Sequence, residues 1–217
     1  MIQLHHYPST AAMAPHILLE EIGCDFELVH VDRDADAHKR PDYLQLNPNG
    51  LIPVLREGDL VLYETAAILL HLCDTHPEAR LAPALGSPAR AEFYKWLMWL
   101  TNTLQASLIV YFYPERWVDA GNTRGAAEVK RHAEHRIDGL LAQMDFELGR
   151  HGGPWFMGAS YTALDAFAFT LCRWTRNFQN VPPARERENL GPYLQRMLDR
   201  AAVRQVIATE GLQPPFV

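Results

Sequence analysis

No apolar run in this sequence approaches the length needed to cross a bilayer. The opening "MIQLHHYPST" lacks a basic start followed by an apolar block, so no secretory signal is expected. Cysteine is scarce. Cys24, Cys73 and Cys172 lie far apart with no CxxC, which predicts a reducing, cytoplasmic setting and neither structural zinc nor any other metal site. Basic residues number 20 against 26 acidic, a net charge of −6, which argues against nucleic acid as a partner. No basic amphipathic stripe points to a membrane surface. A GxSxG elbow and a glycine-rich phosphate loop are also missing, so neither a Ser-His-Asp hydrolase nor a nucleotide site has sequence support.

What is present divides in two. Residues 1–80 hold 5 basic and 13 acidic side chains, and residues 81–217 hold 15 and 13. The first half alternates short elements. "IQLHHY" reads as a strand, and Met13, Ile17, Leu18 and Ile22 have helical spacing with Gly23 as a stop. "DFELVHVD" reads as a second strand. A short helix around Asp42–Leu46 ends at the turn "NPNG". "LIPVL" and "LVLY" flank Glu57-Gly58-Asp59 as a hairpin, and Thr65–His76 resumes helical spacing until Pro77. The order βαβαββα predicts a mixed α/β sheet. The second half carries only helical signals: "ARAEFYKWLMWLTNTLQASLIVYF", "GAAEVKRHAEHRIDGLLAQMDFELG" ending at Gly149, the almost wholly apolar "YTALDAFAFTLCRWTRNF", and "GPYLQRMLDRAAVRQVIA". The proline-rich stretch Pro77–Arg90 separates the halves, giving an α/β domain over 1–78 and an all-α domain over 88–217.

Three short segments carry chemistry. Pro53, inside an apolar run after NPNG, reads on its own as an ordinary trans proline at a strand start. A cis Ile52–Pro53 bond would instead free the Ile52 backbone to pair with a peptide-like ligand, as an added strand does. Glu64-Thr65 stands at a strand-to-helix step. Plain capping explains the pair, but a carboxylate for a ligand ammonium beside helix amides for a ligand carboxylate also suits an α-amino acid group. Ser9-Thr10 precedes a helix whose first turn holds Pro15. Thr10 can cap, while Ser9, in the loop before it, can donate to an anion such as a thiolate. The histidines show no metal spacing. His132 and His135 sit among Arg131, Glu134 and Arg136 and read as a solvated face. Thr162 and Asp165 fit a capping box and read as a folding signal.

Together "YPSTAAMAPHILLEEIG", "DYLQLNPNGLIPVL", "LVLYETAAILLHL" and "GASYTALDAFAF" resemble the cytosolic glutathione transferases, in their order and spacing across nearly the whole chain. The resemblance to bacterial, serine-type members implies a thioredoxin-like N-terminal domain, an all-helical C-terminal domain, a homodimer, and glutathione as co-substrate with no cofactor. It implies that Ile52–Pro53 is the cis-proline step, that Glu64-Thr65 holds the γ-glutamyl end, and that Ser9 is the catalytic serine with Thr10 as its fallback. Leu51 stands where members often carry Lys, Gln or Arg, so the glycine carboxylate falls to His38 and Lys39. Ala11 replaces the cysteine of beta-class members, and Gln105 lies near their histidine position. The small hydrophobic electrophile is expected in the cleft between domains, against Met13, Gln105, Leu108, Phe112, Trp117 and Trp174. A non-catalytic glutathione-binding or protein-interaction module, or a glutathione-dependent lyase, reductase or isomerase, are the alternatives on the same fold.

Overall fold

A computed structural model describes all residues, Met1–Val217. The N-terminal half runs β1 (Ile2–His6), α1 (Met13–Ile22), β2 (Phe26–His30), α2 (Pro41–Leu44), β3 (Val54–Glu57), β4 (Leu60–Tyr63) and α3 (Thr65–Thr75). The four strands lie in the order β2-β1-β3-β4, with β1 parallel to β2 and antiparallel to β3, and β3 antiparallel to β4. The register fixes the geometry of one sheet end. Val54 pairs with both His5 and Tyr63. The segments that follow His6, precede Val54 and follow Tyr63 therefore all emerge together, and they contain Ser9, Ile52–Pro53 and Glu64. Gly50 belongs to this end too. Its φ is +60°, and a Cβ there would stand 3.0 Å from the His38 carbonyl oxygen, so only glycine lets the NPNG turn close against that loop.

The C-terminal half is helical: α4 (Pro88–Trp99), α5 (Ala106–Phe112), α6 (Thr123–His151), α7 (Ala163–Arg173), α8 (Leu190–Leu198) and α9 (Ala201–Thr209). The stripe expected to form one helix from Ala89 to Phe112 is interrupted by a π-helical segment, Leu100–Gln105. Hydroxyls in this segment and just after it donate back to the chain, Thr101 to the Leu97 carbonyl at 3.1 Å and Ser107 of α5 to that of Thr103 at 2.7 Å, and compete with the regular ladder. The long helix α6 does not stop at Gly149 as expected; Gly152, at φ +61°, caps it. Its Glu134 is buried, not solvated, and accepts from the Asn180 side chain at 2.8 Å.

Every residue of α7 is buried. It packs on α1, and a continuous apolar core runs from Leu4 and Ile17 of the first half to Phe93, Phe167 and Tyr193 of the second. Asp165 anchors the start of α7. Its carboxylate accepts from the Thr162 and Phe156 amides at 2.8 Å each and from the Tyr193 hydroxyl at 3.2 Å. Burial nonetheless pushes its pKa up to about 6, against the pull of those donors. No helix is long and apolar enough to cross a membrane.

Candidate active site

The site is built at the shared sheet end. Four non-glycine residues in the chain have positive φ, and two of them are Ser9 (64°) and Glu64 (73°). Backbone strain of this kind costs of order 1–3 kcal/mol and is retained where surrounding structure holds it. Ser9 is held by all three of its polar groups, each by a side chain of the helical half. Its N–H donates to Glu210 Oε2 at 2.8 Å, its carbonyl accepts from Trp174 Nε1 at 3.1 Å, and its Oγ accepts from Arg173 Nη1 at 2.5 Å. Glu210 also lies 3.0 Å from His16 Nδ1 through Oε1, with both side chains fully buried.

Thr10 is placed differently. Its hydroxyl donates to the Tyr7 carbonyl at 2.7 Å and lies 3.4 Å from the Ala12 amide, and Ala12, with no side-chain cap, begins the helix. The expected Thr10 cap is thus replaced by a local turn, and the Thr10 proton is committed. The Ser9 hydroxyl proton has no acceptor within the protein. Tyr7, another hydroxyl at this end, donates to Asp34 Oδ2 at 2.5 Å, which keeps its phenol protonated and turned away.

Ile52–Pro53 is cis. Neither the N–H nor the carbonyl of Ile52 is hydrogen-bonded within the protein, because the Tyr43 hydroxyl and the Asn47 side chain donate instead to the preceding Leu51 carbonyl, at 2.8 and 2.9 Å. Glu64 is exposed at the start of α3 and makes no side-chain cap, so plain capping does not account for it; Thr65 is buried behind it. His38 and Lys39 lie in the 3-10 turn Ala37–Lys39 against the NPNG turn. Lys39 pairs with Asp36 at 2.8 Å, and burial lowers the basicity of His38.

The expected electrophile wall divides. Phe112 is exposed and stands edge-on to Trp174, ring centres 6.1 Å apart, and Trp174 in turn reaches the Ser9 carbonyl through Nε1. At the next residue, Tyr113, the hydroxyl accepts from Arg33, and Arg116 stacks on the ring at 4.0 Å. Gln105 is half-buried in the π-helical segment. Met13 and Leu108 are corrections: they point into the core at 1% and 0% exposure and offer no surface to a ligand. Trp117 is another. The turn after α5 carries it to a groove of ≈ 840 Å³ shared by α5 and α6, with Ile109, Val110, Val129 and His132, whose lining includes neither Phe112 nor Ser9.

The protein's own thiols are unsuited to chemistry here. Burial pushes Cys73 and Cys172 up to about 12, and it also raises Cys24. The sequence reading missed Arg173, Glu210 and His16. Glu210 and His16 carried no local signal. Arg173 did: it is a charge inside a segment otherwise apolar on most sides.

Residues 1–74 match the family model "Glutathione S-transferase, N-terminal domain". Over 213 residues the chain is 30% identical to Glutathione S-transferase GST-4.5 of Xanthomonas campestris pv. campestris, covering 97% of this chain and 100% of that protein. It is 28% identical over 218 residues to Glutathione S-transferase GstA of Escherichia coli O157:H7, covering 98% and 100%. A crystal structure of a glutathione transferase homologue from Sulfitobacter, with bound glutathione, superposes with a TM-score of 0.87 at 25% identity over 98% of this chain and 99% of that one. With this full-length similarity in sequence and in fold, the chain belongs to the glutathione S-transferase family.

Proposed function

We propose that glutathione lies along the sheet end formed by Ser9, Ile52–Pro53 and Glu64-Thr65, and that the Ser9 hydroxyl holds its sulfur as a thiolate for attack on a small hydrophobic electrophile. The observation that carries this reading is the set of unspent groups at one place. They are the Ser9 proton, the Ile52 N–H and carbonyl, and the exposed Glu64 carboxylate at an uncapped helix start. The Ile52 backbone pairs with the cysteinyl residue as an added strand would. Glu64 takes the ligand ammonium, and the first amides of α3 take its α-carboxylate. His38 and Lys39 are proposed for the glycine carboxylate, and Phe112 and Trp174 for the electrophile. Binding in this way turns a bimolecular attack into an effectively unimolecular one.

Ser9→Ala tests the role. Glutathione should still bind, measured by calorimetry, while conjugation to a dinitrohalobenzene falls by about 10²-fold at neutral pH. Full activity with an unchanged bound-thiol pKa would remove Ser9 from it. The homodimer is proposed on the exposed Tyr94 and Met98, one turn apart on α4, and sedimentation velocity checks it. The free state of all three cysteines accords with the cytoplasmic setting proposed for the chain.

A further inference from the structure

Arg173 is almost wholly buried, at 2% exposure, and makes no ion pair with any carboxylate. A buried cation without an anion is costly and is retained where it has a task. Its surroundings are few. Nη1 donates to Ser9 Oγ at 2.5 Å, Nε is buried without a partner, and Nη2 makes no hydrogen bond within the protein. From its own helix end Arg176 adds a like charge and donates to the Arg173 carbonyl at 3.0 Å. From the C-terminal segment Glu210 supplies the nearest opposing charge, but that carboxylate is spent on the Ser9 amide and on His16 of α1. Burial brings the guanidinium down to about 10, which leaves it charged at neutral pH.

We propose that Arg173 is the positioning residue of the thiolate site: by donating to Ser9 Oγ it turns the serine proton toward the sulfur and sets a buried positive charge behind it. Because an Oγ that accepts from a cation is a stronger donor, Ser9 becomes a better partner for an anion than an isolated serine. The anion that Arg173 lacks in the protein is the thiolate that glutathione brings. The helical half therefore contributes to the acidity of a thiol bound by the α/β half. This inference rests on the Ser9 reading above.

The test compares wild type, Arg173→Gln, Arg173→Lys, Ser9→Ala and the Ser9→Ala/Arg173→Gln double variant. The bound-thiol pKa is followed by thiolate ultraviolet absorbance, and kcat/KM with a dinitrohalobenzene is followed against pH. Arg173→Gln should raise the bound-thiol pKa by about one pH unit, lower kcat/KM about tenfold at pH 6.5, recover at pH 9, and leave the Kd for glutathione within about twofold. Arg173→Lys, which keeps the charge, should restore the pKa to within about half a pH unit of wild type. In the Ser9→Ala background the further shift from Arg173→Gln should shrink by at least half. A folded, glutathione-binding Arg173→Gln protein with an unshifted pKa and pH profile overturns the proposal. So does a shift that survives undiminished without Ser9. Should Arg173→Gln not fold, a full pH-unit rise in Arg173→Lys, despite the retained charge, overturns it as well. Failure of wild type to bind glutathione sinks the underlying reading instead; an effect of Ser9→Ala without one of Arg173→Gln sinks this inference alone.

Discussion

Glu210→Ala isolates the hold of the C-terminal segment on the serine loop. The Glu210 side chain is fully buried, accepts from the Ser9 amide at 2.8 Å and lies 3.0 Å from His16 Nδ1. Truncation leaves both groups buried without that partner. Hydrogen bonds to a charged acceptor are worth about 1.5–3 kcal/mol each. Relief of the buried carboxylate's desolvation offsets part of the sum, so the net loss of stability should be about 2–4 kcal/mol. Ser9 itself pays about 1–2 kcal/mol for its left-handed conformation. The Trp174 and Arg173 bonds that remain are together worth about 2.5–4 kcal/mol, which exceeds that strain. The loop should accordingly loosen without inverting, and kcat/KM should fall about five- to tenfold and not to zero. Glu210→Gln keeps an acceptor for the Ser9 amide and should cost only about 1 kcal/mol. Urea unfolding of the three proteins and steady-state conjugation assays read both effects. An alanine variant with wild-type stability and activity would refute the reasoning, as would a glutamine variant as damaged as the alanine one.

Burial depresses the basicity of His6, with His16 and His30 adding to the effect and Glu210 opposing it, and its Nδ1 has no partner. Its folded pKa lies below the unfolded 6.5, so the stability it supports is present above pH 6.5 and lost as pH falls from there toward the folded value. His6→Leu should therefore be at least as stable at pH 7.5 and lose less stability on acidification in urea melts; an identical acid limb would count against this. Trp174→Phe removes the donor to the Ser9 carbonyl while keeping a ring against Phe112, and should cost about 1 kcal/mol and a few-fold in kcat/KM. Unaltered kinetics would show that the Ser9 carbonyl needs no such donor. Asp165→Ala strands the buried Phe156 and Thr162 amides. Partly offset by the relief of a carboxylate that burial disfavours, it should cost about 2–4 kcal/mol in thermal or urea unfolding. A wild-type midpoint would contradict the anchoring role.

The expected strands and helices of the first half match the observed ones to within three residues at their ends, the largest difference being the start of β3 at Val54 instead of Leu51, because period-2 and period-3.6 patterns, Gly23, NPNG and Pro77 are all local signals. The π-helical segment was not legible. Its signal is the back-bonding of Thr101 and Ser107 hydroxyls, which any helical stripe can contain without bulging. Met13 and Leu108 were misread as pocket walls for a related reason: spacing identifies the apolar face of a helix but not whether that face meets core or cleft.

The sequence by itself determined the two-part architecture, the turn at Gly50, the serine before the first helix, and through resemblance the family and the glutathione-facing segments. Tertiary structure alone decided what stands behind the serine. Arg173, Trp174 and Glu210 lie 164, 165 and 201 positions away along the chain. Their meeting at one residue depends on α7 and the C-terminal segment packing against α1, a long-range contact that no local period encodes. Local patterns report which face of an element is apolar; the partner of a buried polar atom is chosen only when the elements dock.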